Sequence, residues 1–228
     1  QLGELERLTR LKRFFSPQLA EKILAGGVDD PLLTHRREVT AVYIDLRGFT
    51  AFTGAAEPEE VMEILHQYHA EMGRLIMKHE GTIEFFAGDG IMVIFNDPVV
   101  VANPVERALH MAVGMQAAFA PLAESWRRRN FDLGIGIGIA QGYATIGAIG
   151  FEGHWDYGVI GTVTNLAARL CGEAKSGQVV VHRKALAHIE NLFDITPLGE
   201  IALKGFAQGI EAVDVRGVRA GAGGAAAI

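Results

Sequence analysis

Asp45 and Asp89 are the residues whose setting could best support chemistry. Asp45 closes the apolar run Ala41-Val42-Tyr43-Ile44 and leads into Leu46-Arg47-Gly48-Phe49-Thr50. Asp89 sits in Phe86-Ala87-Gly88-Asp89-Gly90, between Thr82-Ile83-Glu84-Phe85-Phe86 and Ile91-Met92-Val93-Ile94-Phe95, a pattern that predicts a hairpin with the carboxylate at its tip. Two acids on strand ends can hold hard divalent cations, and glycine beside them lets a triphosphate approach the backbone. Asp-Gly is also a common turn pair, so either acid alone reads first as ordinary turn chemistry.

A second group lies downstream. After Tyr157-Gly158-Val159-Ile160-Gly161 a helix is predicted in which Asn165 and Arg169 are four apart and share a face. Such a pair could clamp a ribose oxygen and a phosphate; equally, Asn165 could cap the helix and Arg169 pair with a surface acid. Lys204, in Leu203-Lys204-Gly205-Phe206, sits at a strand-to-loop corner and by itself signifies nothing. The run from Phe131 to Ala140 alternates glycine with large apolar residues, a strand with one bare face open to close packing or a ligand. No Gly-Lys-Ser/Thr follows it, so it is not a P-loop, and no helix start follows as a dinucleotide fingerprint requires.

These residues need elements to carry them. A strand is predicted from Glu38 to Asp45. A helix opens at Glu57-Pro58-Glu59-Glu60 and runs to about His79, with Val61, Ile64, Leu65, Tyr68, Met72, Leu75 and Ile76 as its core face and Gly81 after its end. Another begins near Asn103-Pro104 and runs to about Arg129, burying Ala108, Met111, Ala112, Met115 and Phe119; Arg127-Arg128-Arg129 complements its C-terminal dipole. Residues 1–35 read as a helical lead-in: Leu2, Leu5, Leu8, Leu11 and Phe15 form a stripe, and Ser16-Pro17 starts a second short helix. The stripe is too short for a coiled coil but suits a helix arriving from an upstream sensor. The start at Gln1 fits a segment of something longer. Residues 36–216 alternate strand and helix patterns, and 217–228 are expected to be a disordered small-residue tail.

Composition narrows the function classes. With 228 residues the chain can bury a full core in one domain. Cys171 is the only cysteine, which excludes a disulfide framework or a cysteine metal cluster and suggests a reducing compartment. No apolar stretch reaches the roughly 18 residues of a membrane span and no signal peptide opens the chain, so a cytoplasmic location is expected. A formal charge of −6 without a basic stripe argues against nucleic acid as partner. His66, His69, His79, His110 and His154 form no zinc-type pair and are expected to be solvated or packed. Cys171 is expected to pack as a small hydrophobe. Trp155 lies in a predicted arm, where it would anchor an interface or pack into the core.

Taken in order, Asp45-Leu46-Arg47-Gly48-Phe49-Thr50, Ala87-Gly88-Asp89-Gly90, Val159-Ile160-Gly161 with Asn165-Leu166-Ala167-Ala168-Arg169, and Leu203-Lys204-Gly205 closely resemble the catalytic domain of class III nucleotide cyclases, over roughly residues 36–216. The resemblance implies an α+β, ferredoxin-like βαββαβ core of the polymerase-palm type and a head-to-tail homodimer with active sites across its interface. It makes Asp45 and Asp89 ligands of two Mg2+ or Mn2+ ions per site, and places backbone N–H groups of Phe49 and Thr50 against phosphate. Asn165 would orient the ribose, Arg169 would stabilise the α-phosphate, and Lys204 would contact the terminal phosphates. The aspartates come from one subunit and the Asn/Arg pair from the other.

The chain departs from the family at the base. Where adenylate cyclases usually carry lysine and guanylate cyclases glutamate stands Phe85; the partner position, usually aspartate or threonine for adenine, is Gly158. Thr162 replaces an aspartate common in bacterial members. Phe85 and Gly158 can stack on or make room for a base but offer no side-chain hydrogen bond to its edge. Glu84 and Asp156 are adjacent charged residues, and strand alternation places Glu84 opposite Phe85. ATP is the favoured substrate, with GTP, a pyrimidine nucleotide or a nucleotide-binding regulatory pseudo-cyclase as alternatives. The Gly-Gly-Asp/Glu-Glu-Phe hairpin of dinucleotide cyclases is absent.

Overall fold

A long first strand organises the molecule. In the computed structural model, which describes residues 16–26, 30–152 and 154–220, β1 (His35–Arg47) lies at the centre of an eight-stranded sheet. One neighbour is β3 (Gly90–Phe95) and the other β4 (Gly134–Phe151), both antiparallel to it. The order is β2-β3-β1-β4-β6-β8-β7, with β2 (Thr82–Ala87) at one edge and β5 (His154–Ile160) folded back on β4 as a hairpin arm. Only β6 (Val179–His182) runs parallel to its neighbour β4; β7 (Phe193–Ile201) and β8 (Ile210–Val218) complete the sheet. With α3 (Pro58–Lys78) between β1 and β2 and α4 (Pro104–Arg127) between β3 and β4, the first four strands form the expected ferredoxin-like βαββαβ unit.

Alternation along β1 assigns its two faces. Val42, Ile44 and Leu46 point to a core shared with Ile64, Tyr68, Met72 and Ile76 of α3 and Leu109, Met111 and Met115 of α4. Val39, Ala41 and Tyr43 point to a second core built with Val163, Leu166, Ala167 and Leu170 of α5 (Thr162–Glu173). Asp45 and Arg47 continue this second series. α3 starts where the sequence predicts: Glu57 and Glu60 form a reciprocal capping box and Pro58 occupies the first turn. The short helix α2 (Phe49–Ala55) follows β1 directly.

In the lead-in, α1 (Pro17–Ala25) is capped by the Ser16 hydroxyl, which accepts from the Leu19 N–H. Its Leu19 is buried and its Gln18 Nε2 donates to the Gly81 carbonyl. The Leu8/Leu11/Phe15 stripe lies outside the described residues, as does the tail beyond Ala220. At the domain end β8 continues to Val218, two residues past the expected boundary.

Candidate active site

The bare face of β4 explains how the site is assembled. A Cβ added at Gly138 would stand 2.2 Å from the backbone of both Ala167 and Cys171, so α5 lies against the sheet where glycine admits it. At Gly134 the space is taken by the Ser176 side chain, and at Gly136 by the Arg47 guanidinium. The glycines therefore serve close packing, one of the two uses the sequence suggested.

Asp45 and Asp89 come together at one end of this face. Asp89, in the β2–β3 turn, accepts the Leu46 N–H at 3.3 Å and bonds with the Asp45 carboxyl. Burial pushes Asp45 up to about 7, helped by the hydrogen bond and negative charge of Asp89 and opposed by Arg47, 3.8 Å away. Two carboxylates held this close resist joint ionisation until a cation joins them. The hairpin is steadied by His69, whose Nε2 donates to the Gly88 carbonyl at 3.0 Å while its ring lies 4.9 Å from Phe86. Gly90 is required next to Asp89, because a Cβ there would meet the Tyr43 hydroxyl at 2.5 Å.

Directly after β1, Gly48 adopts a left-handed conformation (φ 82°) in which an added Cβ would stand 2.8 Å from the Asp132 carbonyl oxygen, a corner that suits glycine. No side chain caps α2 at that point, so the first-turn N–H groups, those of Phe49 and Thr50 included, are left without an intrahelical acceptor beside the acidic pair.

Among the described residues no group of three or more His, Cys, Asp or Glu side chains gathers to enclose a metal. A pair of half-buried carboxylates suits magnesium or manganese, which bind through one or two carboxylates and the substrate's own phosphates. The donor set thus fits the expected cations, with the phosphate oxygens of a triphosphate adding to their coordination.

Asn165 and Arg169 project from the exposed side of α5, and Lys204 is exposed in the β7–β8 turn. That turn rests on the α5 side of the sheet through Leu203. Among the described residues none of the three makes a side-chain hydrogen bond or ion pair, and none joins Asp45 or Asp89. Asn165 is not a cap: Gly161 holds that position.

Phe85 and Gly158 line one cavity of about 1100 Å³, together with Glu84, Tyr157, Ile149 and residues of α1. A side chain at Gly158 would collide with Ile149, whose Cδ1 would lie 2.1 Å from the added Cβ. The expectation that Glu84 points away from Phe85 is overturned. Register slips between Ile83 and Phe85, and the extra residue of this bulge turns the Glu84 carboxylate into the same cavity, where it accepts the Val159 N–H at 3.2 Å. Burial raises Glu84 above the usual range, against the Val159 hydrogen bond. Sequence periodicity carried no sign of the bulge; Arg47, inside the quoted motif, was also given no role.

The family model for the adenylate and guanylate cyclase catalytic domain matches residues 33–215. The chain belongs to that family. Adenylate cyclase 1 of Rhizobium meliloti is 28% identical over 204 residues, 88% of this chain and 31% of the relative. An adenylate cyclase of Anabaena cylindrica is 33% identical over 165 residues, 70% of this chain and again 31% of the relative. The cyclase domain thus spans about a third of the length of these curated relatives. Among solved structures, the adenylyl cyclase CyaB of P. aeruginosa superposes with a TM-score of 0.77 at 32% identity, covering 81% of this chain and 96% of that one. The guanylyl cyclase Cya2 gives 0.74 at 32% identity, covering 81% and 94%.

Proposed function

We propose that two copies of this domain, arranged head to tail, cyclise a nucleoside triphosphate to its 3′,5′-cyclic monophosphate and release pyrophosphate. The observation that carries the reading is the split within one chain. Among the described residues, Asp45 and Asp89 form an acidic edge whose one ion-pair partner is Arg47, while Asn165, Arg169 and Lys204 stand outward and unpaired. A second copy turned to face the first would bring that amide, guanidinium and ammonium over the acids. Exposed apolar side chains on the β4–β5 arm, Phe151 at 69% and Trp155 at 55% exposure, suit burial by a partner.

Within such a site Asp45 and Asp89 would hold two Mg2+ or Mn2+ ions together with the triphosphate. Bound cations would neutralise phosphate charge and lower the pKa of the ribose 3′-hydroxyl. The chain's own groups do the rest. Asn165 holds the ribose so that its 3′-oxygen lies in line with the α-phosphorus. Arg169 meets charge that grows on the α-phosphate as the bond to pyrophosphate breaks. Lys204 and the first N–H groups of α2, at Phe49 and Thr50, bind the β- and γ-phosphates, so the leaving group departs already neutralised. Phe85 stacks on the base beside Gly158, over which the Ile149 side chain lies.

ATP is the favoured substrate, since the Rhizobium and Anabaena relatives and the P. aeruginosa structure are all named adenylate or adenylyl cyclases. One observation favours a second reading, GTP: Glu84 offers the cavity an acceptor, and guanine presents two N–H donors on its Watson–Crick edge where adenine presents one. Competition between ATP and GTP with manganese decides between them. If Glu84 reads guanine, Glu84→Gln lowers the GTP-to-ATP ratio of kcat/KM by about tenfold.

The shared site is tested by mixing Asp45→Ala and Arg169→Ala proteins, each inactive alone. Heterodimers carry one whole site, and recovered cyclic product is expected. No recovery, with dimers verified, would sink the reading. The full-length protein is expected to carry an upstream sensor acting through the lead-in and to work in the cytoplasm; no described helix is long and apolar enough to cross a membrane.

A further inference from the structure

Arg47 joins two parts of the chain that the proposed dimer assigns to different active sites. Its Nη2 donates to the Cys171 carbonyl and lies 3.3 Å from the Cys171 Sγ, while Nη1 stands 3.8 Å from Asp45 Oδ2. The guanidinium lies across Gly136, where an added Cβ would be 2.4–2.8 Å from three of its atoms. Cys171 in turn donates through Sγ to the Gly136 carbonyl at 3.3 Å. Arg47 Nε is buried without a partner.

This is an unusual way to hold an arginine beside an aspartate. A direct charge-assisted pair closes to about 2.7–2.9 Å, yet here the closest approach is 3.8 Å. The guanidinium is drawn off by the last turn of α5, where the Cys171 carbonyl, which also accepts the Ala174 N–H, lies at the negative end of the helix dipole. Arg169 lies two residues before Cys171, in that same turn. The contact that keeps Arg47 off the carboxylates therefore also seats the turn that carries the phosphate clamp.

We propose that Arg47 is a positioning residue for both half-sites: it fixes the height of the last turn of α5, and so of Arg169, and it leaves Asp45 and Asp89 open to cations rather than capping them itself. The inference rests on the shared-site reading above. Its consequence is that changes at Arg47 act on two active sites through two different routes.

Two variants separate this from a merely structural role. Arg47→Lys keeps the charge, but a single ammonium cannot hold the Cys171 carbonyl and stand beside Asp45 at once, as the two terminal nitrogens of Arg47 do, and is free to close on the aspartates. Gly136→Ala leaves Arg47 in place and pushes its guanidinium from its seat; the nearest atoms it meets belong to that flexible side chain. Manganese binding without nucleotide, followed by electron paramagnetic resonance, is expected to weaken fivefold or more in both variants. Should Arg47→Lys not fold, Gly136→Ala carries the same measurement. Unchanged or tighter manganese binding would overturn the proposal.

Placement supplies the second readout. In an Asp89→Ala and Arg169→Ala mixture, the one whole site takes its carboxylates from the Arg169→Ala chain and its clamp from the Asp89→Ala chain. Arg47→Lys, or Gly136→Ala in its stead, added to either chain in turn is expected to lower kcat at saturating manganese at least tenfold from the clamp side. From the carboxylate side it raises the manganese requirement. An effect from one placement only refutes the dual role. A mixture silent even without a change at Arg47 refutes the shared site itself, and this proposal with it; an active mixture indifferent to Arg47 refutes this proposal alone.

Discussion

Replacing Asp45 by asparagine should stabilise the metal-free protein while abolishing its response to metal. In the folded chain Asp45 is pushed up to about 7, from 3.8 for a free side chain, by burial first and then by Asp89. Because the folded value is raised, ionising Asp45 costs stability. The cost is absent below the unfolded value near 3.8, grows as pH rises towards 7, and is complete above it. At 1.36 kcal/mol per pH unit the full difference is about 4 kcal/mol. Asp45 keeps 32% of its side chain exposed, so solvent screening reduces this to about 2 kcal/mol. For a domain of this size that is roughly 4–8 °C in Tm. Thermal melts in EDTA should place Asp45→Asn above wild type by that margin at pH 8, with the gap closing by pH 4. Adding manganese at pH 8 should raise the wild-type Tm and leave the variant unmoved. If the EDTA curves coincide at pH 8, or the gap widens toward acid, the two carboxylates are not crowded together and the cation site loses its basis.

Gly138→Ala should drive a methyl into the backbone of α5 at Ala167 and Cys171. A loss of about 1–3 kcal/mol in denaturant melts is expected, with lowered activity because Arg169 shifts; full stability would mean that α5 does not sit as described. His35 donates to the buried carboxylate of Asp97, which also holds Arg37 and the Tyr157 hydroxyl. Burial opposes protonation of His35, but its bonds to the Leu33 carbonyl and Asp97 outweigh that and raise it above 6.5. Its contribution, about 1 kcal/mol relative to His35→Gln, is therefore full below pH 6.5 and fades as pH rises through the raised value. Urea melts at pH 6 and pH 9 check the sign, and a difference that grows with pH would contradict it.

Local pattern made much of this molecule legible before its coordinates. The capping box at Glu57 and Glu60, the period of Ile64, Tyr68, Met72 and Ile76, and the alternation of Gly134, Gly136 and Gly138 each fix an element and the face it turns inward, because 3.6- and 2-residue periods are properties of the backbone itself. The site residues that escaped depend on neighbours far along the chain. Arg47 gains its role from Cys171, 124 residues later. Glu84 was misassigned because one extra residue in β2 turns a carboxylate across the sheet, and nothing in Thr82-Ile83-Glu84-Phe85 marks where that residue lies.

The glycine face of β4 also explains why metal binding and clamp can be separate yet dependent. A stretch of strand with glycine at three successive positions of one side, 134, 136 and 138, forfeits side-chain packing there, and that loss is tolerable only if something else fills the space. Here α5 and Arg47 fill it, one with backbone and the other with charge. The strand directly opposite carries Asp45, paired in register with Gly136. A bulkier residue at 136 would therefore displace Arg47, which rests beside Asp45, and a bulkier residue at 138 would lift the helix bearing Arg169. Both halves of the chemistry are thus set by how closely other groups approach a single bare stretch of sheet, so substitutions along it should impair cation binding and phosphate clamping in proportion to how far they push each apart.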